Sequence, residues 1–134
     1  MSESSVAKPR GQLAIRQLAM PANVNAGGNI FGGWLLAQMD TAGGITAADR
    51  ARGRVATVAI TAMEFHQPVH VGDVLCCYAD VTRVGTTSVT IHVQAWAHRR
   101  HGEKLDEIKV TEGDFVFVAL DENGDKRPMP PEME

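Results

Sequence analysis

The segment from Phe31 to about Arg52 constrains the fold more than any other part of the sequence. Its apolar residues recur at helical spacing and predict a single helix: Leu35, Leu36, Met39, Ala42, Ile45 and Ala47. Few polar residues interrupt the segment before Asp49, so the helix is apolar on nearly every side. Such a helix is buried, because a surface helix keeps one polar face. The rest of the chain must therefore supply a layer that covers it.

The remaining segments predict strands that form this layer. In Ser88 to His98, apolar and polar residues alternate with a period of two, which is typical of a strand. Further strands are predicted at Gln12 to Leu18, Val55 to Phe65, Val74 to Val84 and Ile108 to Leu120. Because short loops join the four long strands, we expect an α+β fold in which a mostly antiparallel sheet wraps the helix. Its edge strands invite pairing with a second copy of the chain.

Size and composition exclude several classes of protein. The chain has 134 residues, of which 44% are hydrophobic, and this suits one domain with one core. A formal net charge of −3 argues against a protein that coats nucleic acid. No transmembrane helix is expected, and Met1 to Gly11 lack the apolar core of a signal peptide. The adjacent Cys76 and Cys77, expected on opposite strand faces, make no disulfide framework and favour a cytoplasmic location.

Both ends of the chain are predicted to lie outside the domain. Residues 1–10 are polar and are expected to form a flexible tail. Residues 123–134 contain Pro128, Pro130 and Pro131 and are expected to form a second tail. The single domain is therefore predicted to span residues 11–122.

A pair of glycines, Gly32 and Gly33, stands where the helix begins. Glycine destabilises a helix by about 1 kcal/mol relative to alanine, so its presence needs a reason. At a helix N-terminus, glycine lets a ligand approach unpaired N–H groups, which together with the helix dipole favour negative charge. A carbonyl under nucleophilic attack develops such charge, so this end suits an oxyanion site. Tight packing of the helix start on the sheet explains the composition equally well.

The single carboxylate inside the apolar helix, Asp40, also needs a reason. Its nearest polar neighbours in sequence are Gln38 and Thr41. An isolated carboxylate in apolar surroundings is costly, and such groups cluster at functional sites. The alternative is a structural Asp40 bonded to a backbone group or to Thr41, and for a carboxylate taken alone this is the commoner case.

The spacing of these two features predicts a site shared between subunits. Gly32 precedes Asp40 by eight residues, which is about 12 Å along a helix axis. One carbonyl cannot touch both within one subunit. If two helices run antiparallel across a two-fold axis, Asp40 of one approaches Gly32 and Gly33 of the other. Our hypothesis is therefore a dimer with two sites, each formed by both subunits.

The helical segment and its flanks also carry a specific motif. The pattern Asn25-Ala-x-Gly-x-x-Phe-Gly-Gly33 is followed by Gln38-Met39-Asp40, which is far more specific than a lone Gly-Gly pair. Matching features continue through Gly53-Arg54-Val55 and Val71-Gly72-Asp73. Over about residues 11 to 125, the sequence resembles the YciA-type acyl-CoA thioesterases of the hotdog superfamily.

The resemblance implies a hotdog fold, a dimer with shared sites that often assembles as a trimer of dimers, and hydrolysis of acyl-CoA to a free acid and CoA. It implies neither metal nor cofactor. By the same resemblance, Asp40 is the catalytic carboxylate, and Asn25 of the partner subunit orients the water or the carbonyl. Gly32 and Gly33 supply the oxyanion N–H groups. Hotdog dehydratases use a histidine with an acidic residue, and the absence of histidine from this helix disfavours that class.

The phosphates of CoA predict cationic groups near the cleft. Arg54, before a strand, and Arg83, near a turn, are the candidates, together with the hydroxyl and backbone groups of Thr86 and Thr87. Solvation alone explains either arginine equally well. By the resemblance, the pantetheine arm runs along three residues of one strand: Thr57, Val58 and Ala59.

Two other interpretations need weighing. His66 and His70 are four residues apart, but Pro68 between them excludes a regular helix, and no nearby cysteine or acidic cluster completes a zinc site, so no metal site is predicted. A non-catalytic acyl-CoA-binding or sensing module is the alternative function. Known hotdog regulators carry an added DNA-binding or nucleotide-binding domain, for which a chain of this length leaves no room.

Overall fold

The computed structural model describes residues 8–132, which form one helix and one five-stranded antiparallel sheet. A short 3₁₀ turn at Pro21–Asn23 precedes the helix. The elements in chain order are β1 (Gln12–Leu18), α1 (Gly32–Ala51), β2 (Val55–Phe65), β3 (Val74–Val84), β4 (Ser88–His101) and β5 (Lys104–Ala119). The α+β prediction is confirmed, and three strands have the predicted bounds. No helix among residues 8–132 is long and apolar enough to cross a membrane.

The hairpin of β4 and β5 is longer than predicted. Both strands were expected to stop near His98 and Ile108, but pairing continues to His101 and Lys104. The turn between them is tight, with Gly102 at a φ of 61°. The charged residues that indicate a loop in the sequence are instead joined across the hairpin, as in the contact of His101 with Asp106 at 3.3 Å.

The strand order β1-β3-β4-β5-β2 leaves β1 and β2 at the edges. The core lies between α1 and the central strands, where Met39 of the helix and Phe115 of β5 are fully buried. Gly43 brings α1 close to the sheet, because a Cβ there would lie 3.1 Å from the Phe117 ring and 3.3 Å from Val93. This packing sets the height of α1 above the sheet and so the position of its ends.

One face of α1 stays open within the single chain. Ile45 is 46% exposed and Phe31 is 40% exposed. The prediction of a helix buried on every side is therefore wrong for the isolated subunit, because the five strands cover only one side of it. The neighbouring edge strand β2 also exposes apolar side chains, with Val58 at 55% and Ile60 at 40%. Both the open helix face and the edge strand therefore leave apolar side chains uncovered by the rest of residues 8–132.

The two cysteines are both buried and unbonded. Cys77 belongs to the core under α1, whereas Cys76 Sγ lies 3.8 Å from Nδ1 of His98. These contacts match the expectation of opposite strand faces. Burial, and secondarily the neighbouring Cys76, raise the pKa of Cys77 to about 12, so this thiol is not a nucleophile at neutral pH.

The C-terminal segment predicted as a tail packs as part of the fold. Met129 N–H donates to the carbonyl of Thr86 at 2.8 Å, and Arg127 Nη2 donates to the carbonyl of Ala51 at 2.8 Å. Arg50 donates to the carbonyl of Pro130 at 2.6 Å. The prediction from residue 123 onward is corrected for this reason: arginine donors at the end of α1 hold the segment. The N-terminal prediction falls largely on residues 1–7, which lie outside the described residues.

Candidate active site

The N-terminal end of α1 is open. Phe31 occupies the N-cap position without a side-chain hydrogen bond, and the first turn holds no acidic residue. Neither Gly32 nor Gly33 donates its N–H to any acceptor among residues 8–132. Two backbone donors at the positive end of a helix dipole therefore face outward, as an oxyanion site requires.

Packing within the subunit does not explain the two glycines. A Cβ at Gly32 would lie 4.0 Å from the Phe65 ring, and one at Gly33 would lie 3.4 Å from the Phe31 ring. Both distances are ordinary van der Waals contacts, and neither glycine has a positive φ. The packing explanation considered for the sequence thus fails at these two positions.

The loop before α1 fixes Asn25 beside this end. Its Oδ1 accepts hydrogen bonds from the N–H groups of Gly27 at 2.8 Å and Asn29 at 3.2 Å. Because both donors are backbone N–H groups, the atom that they contact is the amide oxygen, and it is already used within the loop. The Nδ2 group has no acceptor among residues 8–132, so Asn25 can act on a substrate only as a donor.

A cleft of about 370 Å³ joins Asn25 to the glycine end. One wall comes from the loop and the start of α1, and the other from the segment after β2. The lining residues are Asn25, Asn29, Ile30, Gly32, Leu35, Phe65, His66, Gln67, Pro68 and Val69. The two walls are tied together where Ile30 N–H donates to the carbonyl of Val69 at 3.0 Å.

A buried ion pair holds the second wall. Arg99 forms a two-pronged contact with Asp73, with Nε to Oδ1 at 3.0 Å and Nη2 to Oδ2 at 2.8 Å. The same Nη2 donates to the carbonyl of Pro68 at 3.3 Å, and Asp73 accepts the N–H of His70 at 2.8 Å. Burial alone raises the pKa of Asp73, but the Arg99 and His70 hydrogen bonds and the Arg99 charge together lower it. The ionised Arg99–Asp73 pair thus holds the loop at Pro68 and His70 in place.

Asp40 is half-buried on α1 and is held by a strand residue. Thr57 Oγ1 donates to Oδ1 of Asp40 at 2.7 Å. Thr41, the partner considered for the sequence, instead donates to the carbonyl of Ala37 at 2.9 Å, so that alternative is wrong. The Oδ2 of Asp40 accepts no hydrogen bond from residues 8–132. One carboxylate oxygen is anchored and the other is available.

Asp40 does not line the cleft that Asn25 and Gly32 share. The fold thus brings two of the predicted groups together and keeps the carboxylate apart from them in one subunit. This agrees with the spacing along the helix, which separates Gly32 from Asp40 by about 12 Å.

The residues predicted to bind CoA lie elsewhere on the surface. Arg54 is exposed and lines a cleft of about 360 Å³ together with Arg52 and Arg127. Arg83 is exposed near the end of β3. The carbonyl of Thr86 is occupied by Met129 and that of Thr87 by Ala119, which leaves the hydroxyl groups for a ligand.

The strand residues predicted along the pantetheine arm are exposed on the edge strand: Thr57, Val58 and Ala59. A bulge interrupts the pairing of β2 with β5 between Thr57 and Ala59. Two features near these residues were not predicted from the sequence. One is the hydrogen bond from Thr57 to Asp40, and the other is that Arg127 lines the same cleft as Arg54. The only signal for the first was a hydroxyl residue at the start of a strand.

A second, larger cleft lies away from these groups. It measures about 450 Å³ and lies between β1, β3 and the second half of α1, where Asp49, Arg50 and Asp80 line it. Asp80 is paired with Arg10 at 2.8 Å, and Arg50 is bonded to Pro130. Because Asp80 and Arg50 are already engaged, we take the smaller cleft at the open helix end as the candidate site.

Known proteins resemble the chain in sequence and in structure. Residues 27–103 match the family model of the thioesterase superfamily. The acyl-CoA thioester hydrolase YciA of Escherichia coli is 49% identical over 92% of this chain and 95% of its own length. A hexameric broad-specificity acyl-coenzyme A thioesterase superposes with a TM-score of 0.87 at 43% identity, covering 98% of this chain and 90% of its own.

A hexameric thioesterase from Yersinia pestis has a TM-score of 0.86 at 45% identity, covering 92% of this chain and 99% of its own. These matches extend over nearly all of the described residues and confirm the resemblance seen in the motif. The chain therefore belongs to the hotdog thioesterase superfamily and, within it, to the family of the YciA acyl-CoA thioester hydrolases.

Proposed function

We propose that this protein hydrolyses acyl-CoA thioesters to a carboxylic acid and CoA, with Asp40 as the catalytic carboxylate and an oxyanion site at the start of α1. The observation that carries the proposal is the pair of unbonded N–H groups at Gly32 and Gly33, where packing does not require glycine. The names of the relatives support the choice of acyl-CoA as substrate.

The open helix end supplies the electrostatic part of the reaction. The N–H groups of Gly32 and Gly33 donate to the thioester oxygen as it gains negative charge. Because they are fixed by the helix, they need no reorganisation in the transition state, and one such donor contributes about 10²- to 10³-fold to the rate. Nδ2 of Asn25 lies in the same cleft and orients the carbonyl or the water.

Asp40 supplies the carboxylate, and two routes remain open. As a general base, its Oδ2 takes a proton from water, the hydroxide oxygen bonds to the carbonyl carbon, and the C–S bond breaks to release the CoA thiolate. As a nucleophile, Oδ2 itself bonds to the carbonyl carbon, and the C–S bond breaks to release the CoA thiolate. Water then hydrolyses the resulting anhydride to the free acid and the Asp40 carboxylate. Thr57 supports either route by holding Oδ1. Single turnover in ¹⁸O-labelled water separates them, since only the anhydride route can leave label in Asp40.

We further propose that each site is shared across a dimer. Within one subunit, Asp40 does not line the cleft of Asn25 and Gly32. Edge-to-edge pairing of β2 with its copy would cover the exposed Val58 and Ile60 and set two α1 helices side by side. Because the compared thioesterases are described as hexamers, we propose a trimer of such dimers.

The CoA portion is assigned to the remaining predicted residues. Arg54 and Arg83, with the hydroxyl groups of Thr86 and Thr87, bind the phosphates, and the pantetheine arm follows residues 57–59. All of these residues except the half-buried Thr87 are exposed, which supports the assignment. The two free cysteines support a reducing cytoplasm as the location.

A thiol-release assay over acyl-CoAs of increasing chain length tests the function. We expect release by the wild type, a loss of about a thousandfold or more in Asp40→Asn, and unchanged release in Asp49→Asn, an exposed carboxylate of the same helix. Circular dichroism checks the fold of each variant. Tight CoA binding without release by the wild type would establish the sensing module instead. Wild-type release by Asp40→Asn would remove Asp40 from the mechanism.

A further inference from the structure

A group of side chains that could bind a metal ion lies at the end of β2 and on β5. Glu64, His66 and Glu112 each place one potential ligand atom within 4.8 Å of the others. Among residues 8–132, no other three histidine, cysteine or acidic side chains converge in this way. We call this group the Glu64–His66–Glu112 cluster.

The fold forces two of its carboxylates together. Glu64 and Glu112 are directly opposite partners in the pairing of β2 with β5. Like charges in that position destabilise an antiparallel pair. A bulge between Thr61 and Glu64 sets this register, and it contains Ala62 at a φ of 51°. The backbone thus fixes two carboxylates as cross-strand neighbours, where one cation could contact both.

The distances in the cluster suit a small metal ion. Nε2 of His66 lies 3.2 Å from Oε2 of Glu112 and 3.7 Å from Oε2 of Glu64. Ligand atoms of a tetrahedral zinc site, with metal–ligand bonds of about 2.0–2.2 Å, lie roughly 3.3–3.6 Å apart. Both distances from His66 are near these separations, and the two carboxylates lie within 4.8 Å of each other, so rotation of exposed side chains would complete the site.

Neighbouring groups orient Glu112 for this role. Nε2 of His92 lies 3.1 Å from Oε1 of Glu112, and Nδ1 of the same ring lies 2.8 Å from Oδ1 of Asp114. A carboxylate–histidine–carboxylate chain of this kind fixes ligand orientation in metal sites. The His92 side chain is largely buried, at 13% exposure, so the packing around it fixes the Glu112–His92–Asp114 hydrogen bonds.

Lys109 supplies the competing cation. Its Nζ lies 2.9 Å from Oε2 of Glu112, the same oxygen that faces His66. The two residues share a face because the β4–β5 pairing skips Val110. A metal ion must therefore displace the lysine, whose side chain is 34% exposed and free to swing into solvent.

We propose that the Glu64–His66–Glu112 cluster is a binding site for a divalent transition metal ion, with Zn²⁺ as the best match. Glu64, His66 and Glu112 each provide one ligand, and water occupies the fourth position. The mixed set of imidazole and carboxylate donors matches zinc rather than the harder Ca²⁺ or Mg²⁺. His66 also lines the cleft at the open helix end, but the proposal does not depend on the function assigned to that cleft.

Zinc titration of the full-length oligomer, freed of any histidine tag and of metal, tests the site. Calorimetry should give one Zn²⁺ per subunit in the wild type, and affinity should fall at least tenfold in His66→Gln and in Glu112→Gln. His70→Gln is the matched control, since its exposed ring lies outside the cluster, and its affinity should equal that of the wild type. Lys109→Gln should bind Zn²⁺ more tightly than the wild type, because the competing cation is gone.

The titration has clear contradicting outcomes. No saturable Zn²⁺ binding by the wild type up to about 1 mM would overturn the proposal, as would equal binding in His66→Gln and the wild type. If Glu112→Gln fails to fold by circular dichroism, Glu64→Gln replaces it, since that side chain is 66% exposed and tolerates substitution. An unaltered affinity in Glu64→Gln would then count against the site.

Discussion

The two halves of α1 use glycine for opposite purposes. In the second half, Gly43 is required by packing, since a Cβ would lie 3.1 Å from Phe117. In the first turn, a Cβ on Gly32 would meet nothing closer than 4.0 Å. Glycine therefore marks a tightly packed contact at Gly43 and an open space beside the backbone at Gly32.

The two ends of the helix differ in the same way. At the C-terminal end, Arg52 adopts the left-handed conformation and donates its N–H to the carbonyls of Ala48 and Asp49, while Arg127 binds the carbonyl of Ala51. At the N-terminal end, the N–H groups of Gly32 and Gly33 have no acceptor among residues 8–132. The fold thus caps one end fully and leaves the other bare, and this difference supports the proposed oxyanion site at the N-terminal end.

The largest effect on stability is expected at the Arg99–Asp73 ion pair, which holds the second wall of the candidate cleft. Replacing Arg99 in Arg99→Met leaves Asp73 buried without its partner and should lower the free energy of unfolding by about 3 kcal/mol at pH 7. Urea denaturation measures this, with the neighbouring, exposed Arg100→Met as the control. A loss as small as that of Arg100→Met would show that the wall does not depend on the ion pair.

The same variant should show a defined pH dependence. The folded-state pKa of Asp73 is lowered, so its contribution is complete above the unfolded pKa of about 3.9 and is lost as the pH falls through the folded pKa. The stability difference between wild type and Arg99→Met should therefore be greatest near neutrality and shrink below about pH 4. A difference that stays constant between pH 7 and pH 3 would contradict an ionised Asp73.

The glycine at the open end should affect activity rather than stability. Gly32→Ala places a methyl group at the proposed oxyanion site, so kcat/KM should fall by about 10- to 100-fold. The free energy of unfolding should stay level or rise by up to about 1 kcal/mol, because alanine favours the helix. Steady-state kinetics and urea denaturation of the same preparation test both parts. Loss of stability in place of activity would mean that Gly32 is a packing residue.

Substitution of Gly43, in the second half of α1, should affect stability rather than activity. Gly43→Ala must push aside Phe117 or Val93, and overpacking of this kind lowers stability by about 1–3 kcal/mol. Better helix propensity offsets about 1 kcal/mol of this. Activity per folded molecule should match the wild type. A stable but slow Gly43→Ala enzyme would erase the distinction between the two halves.

The sequence predicts elements well where local signals agree. The bounds of β2 and β3 follow from β-branched runs, the first ending at Phe65 shortly before Pro68 and the second beginning at Val74 after Gly72. The hairpin across residues 99–107 was missed because its charges read as a loop, and only cross-strand pairing makes them strand residues. Local pattern cannot supply such distant pairing.

The candidate site shows the same limit. Asp40, Gly32 and Asn25 are identifiable from the motif, but the partners that hold the site are not. Thr57 is 17 residues from Asp40, and Arg99 is 26 residues from Asp73. Composition also leaves Gly32 and Gly43 alike, and only the distance to the nearest atom tells them apart.

Co-expression of Asp40→Asn subunits with Gly32→Val subunits tests the shared site most directly. If Asp40 of one subunit works with Gly32 of the other, each mixed dimer has one intact site, although each variant alone has none. Random assembly from equal amounts should then restore about a quarter of wild-type thiol release. Release no greater than the sum of the two separate variants would contradict a site formed by both subunits.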